Sequence, residues 1–473
     1  MKQSNDPSFN FVNIQHPDDL KDGETQLRIR KLAMREVGKA RRKPKTKRGR
    51  NQIVLELRGT PQPPASIHYL GSGRIDPFIR LPIELDDNAR ALLANIFDPE
   101  SLHASQLRGS WFPVGLESPA AFHNMLANSQ YYFFQKSHGY FPSRNTGQAL
   151  IHHQRALGLA RQLLGDPARQ TSNEALSTVV SFICHHAILA NFASGEWNQH
   201  QHALLKIIAL RGGLHMIDQD HIRITISWGD LIGSFAQDIP PSIPLPISWE
   251  LDSRPPPGAR RQQSIISLMW KQQLPTHLDW VTIFDDVVQL ISLDGAFNEQ
   301  QQELAATSGS WIEPTIHRLL AIRPLALGNN RGNVIEEVCR LGTLLFLASF
   351  WRILGQSPVH TATISRDLQL VLLQYQMEWH ELKPLLAWAL YHAALETADP
   401  ALRSQFVFIL AVVISGMHVQ RWEEFMAIVK SVLWVDSVVA GSDDLIRVEV
   451  MQILEDLPST PAYGQRVESY QLA

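Results

Sequence analysis

Apolar residues recur at helical spacing through most of the chain after residue 75. In QALIHHQRALGLARQLL, residues 148–164, Leu150, Leu157, Ala160 and Leu164 share one stripe, and Gly165, Asp166 and Pro167 stop it. Thr171 and Glu174 have the spacing of a capping box. They open EALSTVVSFICHHAILANFAS, which is apolar nearly all round and is expected to be buried, with Gly195 as its end. The next helix, EWNQHQHALLKIIAL, turns Trp197, His200, Leu204 and Ile208 inward and closes at Gly212 and Gly213. Further helices are predicted near 336–353, 385–394, 402–417 and 420–434, whereas 222–228 suits a strand as well as a helix. Residues 239–263, with IPPSIPLP and SRPPPGARRQQ, read as a proline-rich surface excursion. The fold class predicted is all-α, a large helical domain over 76–473 with no fixed-period repeat.

The segments before it differ. Residues 1–27 read as a flexible terminus, and 51–75, with TPQPPAS and GSGR, as a linker holding a candidate short strand at 53–57. Between them lies the main charge asymmetry. Residues 28–50 contain 12 Lys or Arg and one acid, Glu36; the segment carries +11, and a net charge of −3 leaves −14 on everything else. A short basic amphipathic helix is allowed over 25–37, and Pro44 forbids its continuation. The rest has nothing to bury and is expected to be disordered.

Such a run fits nuclear import or nucleic-acid contact, or a solvated tail without a specific partner. Its candidate contacts are Arg28, Arg30, Lys31, Arg35, Lys39, Arg41, Arg42, Lys43, Lys45, Lys47, Arg48 and Arg50. They would read phosphate charge and not base sequence, because nothing in the segment presents a rigid helix to base edges. DNA, bound non-specifically or through a partner, and an import receptor are the partners this implies.

Composition narrows the classes further. The 473 residues are 44% hydrophobic, enough for a sizeable core, which excludes a wholly disordered chain. The two cysteines, Cys184 and Cys339, are too few and too distant for a disulfide framework or a zinc site, and a reduced compartment is expected. The first residues lack an apolar signal core, and no apolar stretch reaches spanning length, so no membrane partner is expected.

No catalytic residue, metal ligand or cofactor site is predicted. There is no G-x-S-x-G elbow, phosphate-cradling loop or H-E-x-x-H, and Gly71 and Gly73 lack a third glycine and a following helix. Nineteen histidines include the adjacent pairs His152–His153 and His185–His186, and His200 with His202. Helical neighbours point about 100° apart, so each histidine is expected to be a satisfied core or surface residue. The cysteines are expected to be inert packing and most of the 12 tryptophans core.

Several segments resemble the fungal-specific transcription factor domain proteins. FVNIQHPDD followed by IRKLAM is similar to the start of members that carry no zinc cluster, and DPFIRLPIELDD to their domain opening. The stretch 149–246 is the strongest resemblance, with His200 placed 11 residues before Arg211 in RGGLHMI, then Trp228 and Asp230 in ISWGDLIGSFA. EEVCRLGTLLFL, LLAWAL and Trp434 resemble the C-terminal half.

The resemblance implies an all-α regulatory domain in a nuclear transcription regulator, often of metabolic or secondary-metabolite gene clusters, acting as a homodimer or with another regulator. His200, Arg211, Gly212, Gly213, Trp228 and Asp230 form a structural motif in this reading, with Arg211 pairing an acid or capping carbonyls. Two cysteines cannot supply the six of the binuclear zinc cluster that gives many relatives DNA sequence specificity. The alternatives are a helical adaptor or coregulator that never touches DNA, and a small-molecule enzyme using buried histidines.

Overall fold

The computed structural model describes residues 80–96, 111–145, 147–189, 192–247, 313–322, 331–353, 358–375, 379–432, 434 and 443–456, together with Gly23. The basic segment 28–50, the linker and the candidate strand at 53–57 lie outside them. The chain divides into two compact units, 1–63 and 64–473, and the architecture below belongs to the second.

Fourteen α-helices, and no strand, are found among the described residues. The first seven are α1 (Asp87–Ile96), α2 (Phe112–Leu116), α3 (Pro119–His138), α4 (Gly147–Leu164), α5 (Asn173–Leu189), α6 (Glu196–Leu210) and α7 (Asp220–Gln237). The other seven are α8 (Glu313–Ala321), α9 (Arg331–Ile353), α10 (Ala362–Gln374), α11 (Lys383–Glu396), α12 (Pro400–Gly416), α13 (Trp422–Val432) and α14 (Asp444–Asp456). In the first group α3 packs on α2, α4 and α5, and α5 packs on α6 and α7. In the second α9 packs on α10 and α11, and α11 on α12 and α13, with α14 against α12. α7 joins the groups through α8 and α10.

Local chemistry sets the helix ends. Ser118 caps α3, its Oγ accepting from Ala121 N at 2.9 Å, and Pro119 at the first position gives up no needed donor. Asp399 and Pro400 start α12 in the same way. α6 ends in a Schellman motif: Gly213 N donates to Ile208 O at 2.9 Å and Gly212 N to Ala209 O at 3.0 Å. Both glycines sit at positive φ, 97° and 115°, where a Cβ would be strained.

Three local expectations need correction. α5 is capped by Ser172, whose Oγ accepts from Ala175 N at 3.2 Å, and not by Thr171; Glu174 instead accepts from Arg169. α5 ends at Leu189, and Gly195 is the N-cap of α6. Residues 222–228 lie within α7, where tertiary burial of Ile222, Ile226 and Trp228 on a helical face overrides the alternation.

The stripe assigned to α4 is also displaced. Leu150 and Leu164 are exposed, and the buried face is Ala149, His152, His153, Ala156, Ala160 and Leu163. Small side chains and imidazoles face α3 because the space there is closed by hydrogen bonds rather than by bulk. The proline-rich excursion starts folded: Ile243 is buried, and its backbone N–H is bonded to the core.

A Cβ on Gly233 of α7 would lie 2.0 Å from the Trp197 ring of α6, so the position admits the indole only without a side chain. The indole therefore packs against bare backbone of α7, and moving it away would open a void.

A fully buried guanidinium ties the groups together. Arg340 on α9 donates from Nη1 and Nη2 to the two oxygens of Asp238 at 2.8 Å each, and from Nε and Nη2 to Glu337 at 2.9 and 2.7 Å. Asp238 closes α7 at φ 51°, a left-handed conformation that costs a non-glycine residue roughly 1–2 kcal/mol. Beside it, Trp351 of α9 packs edge-on against Phe235 and donates its Nε1–H to Glu313 at 3.1 Å. Arg340→Met, which leaves two carboxylates buried against each other, is expected to cost about 3–5 kcal/mol in urea unfolding. A loss under 1 kcal/mol would show that water already reaches the pair.

Candidate functional site

The largest concentration of chemistry-bearing side chains is a polar seam inside the first helix group. α3 carries Asn124 and Asn128 one turn apart, and α5 carries Ser181 and His185 one turn apart. Asn124 Nδ2 donates to Ser181 Oγ at 3.0 Å, and Asn128 Oδ1 meets His185 Nδ1 at 2.8 Å. Both rungs span 57 residues, so the two helices run parallel in fixed register. α4 lies alongside, with His152 Nδ1 at 3.1 Å from His123 Nδ1 and His153 Nδ1 at 3.1 Å from Asn124 Oδ1.

The imidazoles stack. His153 lies on His185 with ring centroids 4.1 Å apart and planes 7° from parallel. His186 lies on His200 at 5.2 Å, and His200 on Phe182 at 5.0 Å. His202 is exposed and outside the seam.

Burial keeps these rings neutral. It pushes His123 and His153 down to about 4 and His186 to about 3, with neighbouring histidines adding to the effect. His185 falls well below its ordinary value for the same reason, and burial lowers His152 and His200 as well. A neutral imidazole has one N–H. His185 Nε2 faces Asn145 Oδ1 at 2.9 Å, and that oxygen also accepts from Tyr131 Oη. The arrangement that satisfies every atom has His185 Nε2–H donating to Asn145 and Asn128 turning its NH₂ to the Nδ1 lone pair.

Among the described residues no three His, Cys, Asp or Glu side chains are grouped so as to hold a metal ion. The void beside the seam, lined by Asn128, Ser181, Cys184 and Thr225 among others, is about one water in size. Cys184 and Cys339 are buried, and burial pushes both thiols far up, which removes their nucleophilic form. The seam can hold helices in register; most of its polar groups bond one another, and His186 Nδ1 faces Glu196 Oε2 at 3.4 Å.

His392 is different. It is fully buried among Phe346, Trp388 and Tyr391, and among the described residues neither ring nitrogen has a hydrogen-bond partner. It is therefore not the satisfied core histidine expected, and burial pushes it to about 3.

The motif residues do not form one cluster. His200 belongs to the seam. Arg211 caps carbonyls, donating to Thr171 O at 2.8 Å and Met216 O at 3.3 Å, and so pins the turn after α6. Trp228 is buried edge-on against Trp111 at 4.8 Å. Asp230, also buried, accepts from Gln201 Nε2 through one oxygen and from Ile243 N at 2.9 Å through the other. Burial raises its carboxyl to about 7, against the pull of backbone donors at Ile243 and Ser242.

Sequence reasoning missed Asn124, Asn128, Asn145, His123, Gln201 and Arg340. One signal was available: two asparagines one turn apart within the apolar stretch AAFHNMLAN.

Two predictions follow from these groups. The histidines' folded pKa values lie below the unfolded value, so their stabilisation is complete above about pH 6.5 and is lost as pH falls toward 4. Asp230 works in reverse, its contribution fading as pH rises through about 7, but the depressed imidazoles, His221 included, outweigh one carboxyl. Urea midpoints should therefore drop steeply below pH 6.5, each histidine adding about 1.4 kcal/mol per pH unit. His392→Phe should flatten that slope by one proton. At Asp230, Asn keeps the Ile243 bond and can donate to Gln201 Oε1, which is buried and unpartnered. Asp230→Asn should match or exceed wild-type stability at pH 8, whereas Asp230→Ala should lose roughly 1–3 kcal/mol. Equal losses in both variants would mean the carboxylate charge itself is required.

Comparison with known proteins agrees with this architecture. No curated protein and no solved structure matches the chain. The model of the fungal specific transcription factor domain matches residues 88–432, from α1 to the end of α13. That span covers most of the chain, and the protein belongs to the fungal specific transcription factor domain family.

Proposed function

We propose that this chain is a nuclear transcriptional regulator. Its helical body is a protein-contact scaffold, and its basic segment supplies nuclear import and sequence-independent attraction to DNA. The observation that carries the reading is family membership over residues 88–432. The segment 28–50, at +11 against −14 elsewhere, adds to it. Phosphates attract such a segment by counterion release, whereas the acidic remainder repels them. The segment itself reads charge and not base sequence, and metabolic or secondary-metabolite gene clusters are the target class that the family resemblance favours.

The seam supports a scaffold in place of a catalyst. Burial lowers the pKa of each of its imidazoles, and those of His153 and His185 are bonded to asparagines, so they are weak bases for taking a proton from a substrate near neutral pH.

The test is replacement of Arg41, Arg42, Lys43, Lys45, Lys47 and Arg48 by Ala in the tagged full-length chain. Nuclear accumulation should fall, and unchanged accumulation removes the import role. In a gel-shift titration the wild type should lose on the order of 10³ in affinity between about 50 and 200 mM salt if about six phosphates are contacted. Negligible binding at low salt would favour the adaptor that never touches DNA.

A further inference from the structure

We propose that the end of the α3–α4 hairpin binds an unpaired nucleic-acid strand, stacking bases on Phe133 and Tyr140 and holding phosphates with Lys136 and Arg144. The sequence there, FFQKSHGYFPSR over 133–144, interleaves aromatic rings with cations and contains no acid. The acid-free stretch runs from residue 118 to 165 and carries Lys136, Arg144, Arg155 and Arg161, all exposed. The chain outside 28–50 carries −14, so this stretch is a local reversal of sign that favours a polyanion.

The fold holds the rings out. Gly139 closes α3 at φ 80°, its N–H donating to Gln135 O at 2.7 Å, and turns the chain back. The returning segment is fixed to the core: Phe141 packs edge-on against buried Tyr132 at 5.1 Å, and Asn145 Oδ1 accepts from Tyr131. Tyr140 projects before these anchors and is 61% exposed, and Phe133 in the last two turns of α3 is 53% exposed. Phe134 and His138 stack at 4.0 Å with planes 10° apart, and Tyr140 stands edge-on to Phe134 at 5.5 Å. Rings set in place beforehand lose little side-chain freedom on binding.

Charge and shape select the occupant. Among the described residues neither Lys136 nor Arg144 has an ion-pair partner. The acids on neighbouring elements are engaged elsewhere: Glu117 with His221, Glu174 with Arg169 and Glu196 with His186. Asp86 acts on His123 and His152, and Phe133 lies ten residues beyond His123 along α3, about 15 Å at the helical rise. A duplex offers a protein base edges and phosphates, since its bases already stack on one another. An open ring beside a cation instead matches an unpaired base and its phosphate, groups that DNA and RNA share. An amphipathic peptide needs a groove for its anchors, whereas a hairpin end presents projecting rings.

The test uses the full chain with Arg41, Arg42, Lys43, Lys45, Lys47 and Arg48 replaced by Ala, so that the basic segment contributes little. Labelled oligo-dT and oligo-U strands of about 12 nucleotides are titrated by anisotropy at about 50 mM salt. At least one should bind saturably, and the tighter one names the sugar. A duplex of the same length, and an abasic strand with every phosphate but no base, should each bind about 10-fold more weakly or worse.

Phe133→Ala and Tyr140→Ala should each weaken binding about 5- to 100-fold, whereas Tyr140→Phe, which keeps the ring, should bind like its parent. Lys136→Gln and Arg144→Gln should each make the log–log salt slope shallower by about 0.7. Phe408→Ala, at an equally exposed aromatic on α12, should change nothing. Thermal midpoints should hold throughout, because none of the replaced side chains belongs to the core. Equal affinity for the abasic strand or the duplex overturns the proposal, as does binding indifferent to both alanine variants. So does failure of both strands to bind, or tighter binding of an acidic glutamate–tyrosine peptide than of either strand. The inference rests on the hairpin's own residues and would survive failure of the regulator reading.

Discussion

The demand that a buried guanidinium be matched charge for charge governs how the two helix groups meet. Arg340 has no access to water, so its protons must be taken up by Asp238 and Glu337 or left at a cost of several kcal/mol. Asp238 can reach it only because α7 ends in a left-handed residue at that point. The end of one helix and the middle of another are thereby fixed to within a hydrogen bond. Apolar contact between α7, α8 and α10 is tolerant of small slides; this contact is not. Its worth lies in penalising alternative packings more than in net stabilisation.

The seam between α3, α4 and α5 solves a related problem by a different route. Helices this apolar could pack in several registers, since dispersion and burial are non-directional. Two rungs of hydrogen bonds, both spanning 57 residues, select one. Imidazole suits the purpose because it is flat, stacks, and carries one donor and one acceptor when neutral. The same choice makes the body acid-sensitive, because protonation removes the acceptor and places charge inside a desolvated site, which Glu196 beside His186 offsets only in part.

The two ends of the chain are built on opposite principles. The helical body pairs Arg340 with Asp238 and Glu337 in its interior, whereas the basic segment keeps its charges unmatched within its own sequence. The acid-free end of the α3–α4 hairpin is the exception within the acidic remainder, a surface of rings and cations left open after the core is complete.

Much of the body was legible from periodicity. The helical class, the stop after α4, the glycine stop after α6 and the buried character of α5 follow from local rules about burial, positive φ and capping. Periodicity failed where the buried group was polar. In α4 the leucine stripe drew attention to Leu150 and Leu164, but His152 and His153 occupy the interior because their partners wait on α3. It failed again at 222–228, where alternation and helical spacing coincide over a short window. Arg340 gave no local sign, since its partner Asp238 lies 102 residues away.

The sequence by itself determined the helical class, the charge division between residues 28–50 and the rest, and the two cysteines that exclude a six-thiolate cluster within these 473 residues. Those are properties of composition and short-range order, which no folding partner can alter. Only the tertiary structure decided which histidines stack, which carbonyls Arg211 caps, which carboxylates neutralise Arg340 and which rings of the α3–α4 hairpin stay open. Each of these depends on the directional matching of groups far apart along the chain, and spacing along a single helix carries no record of it.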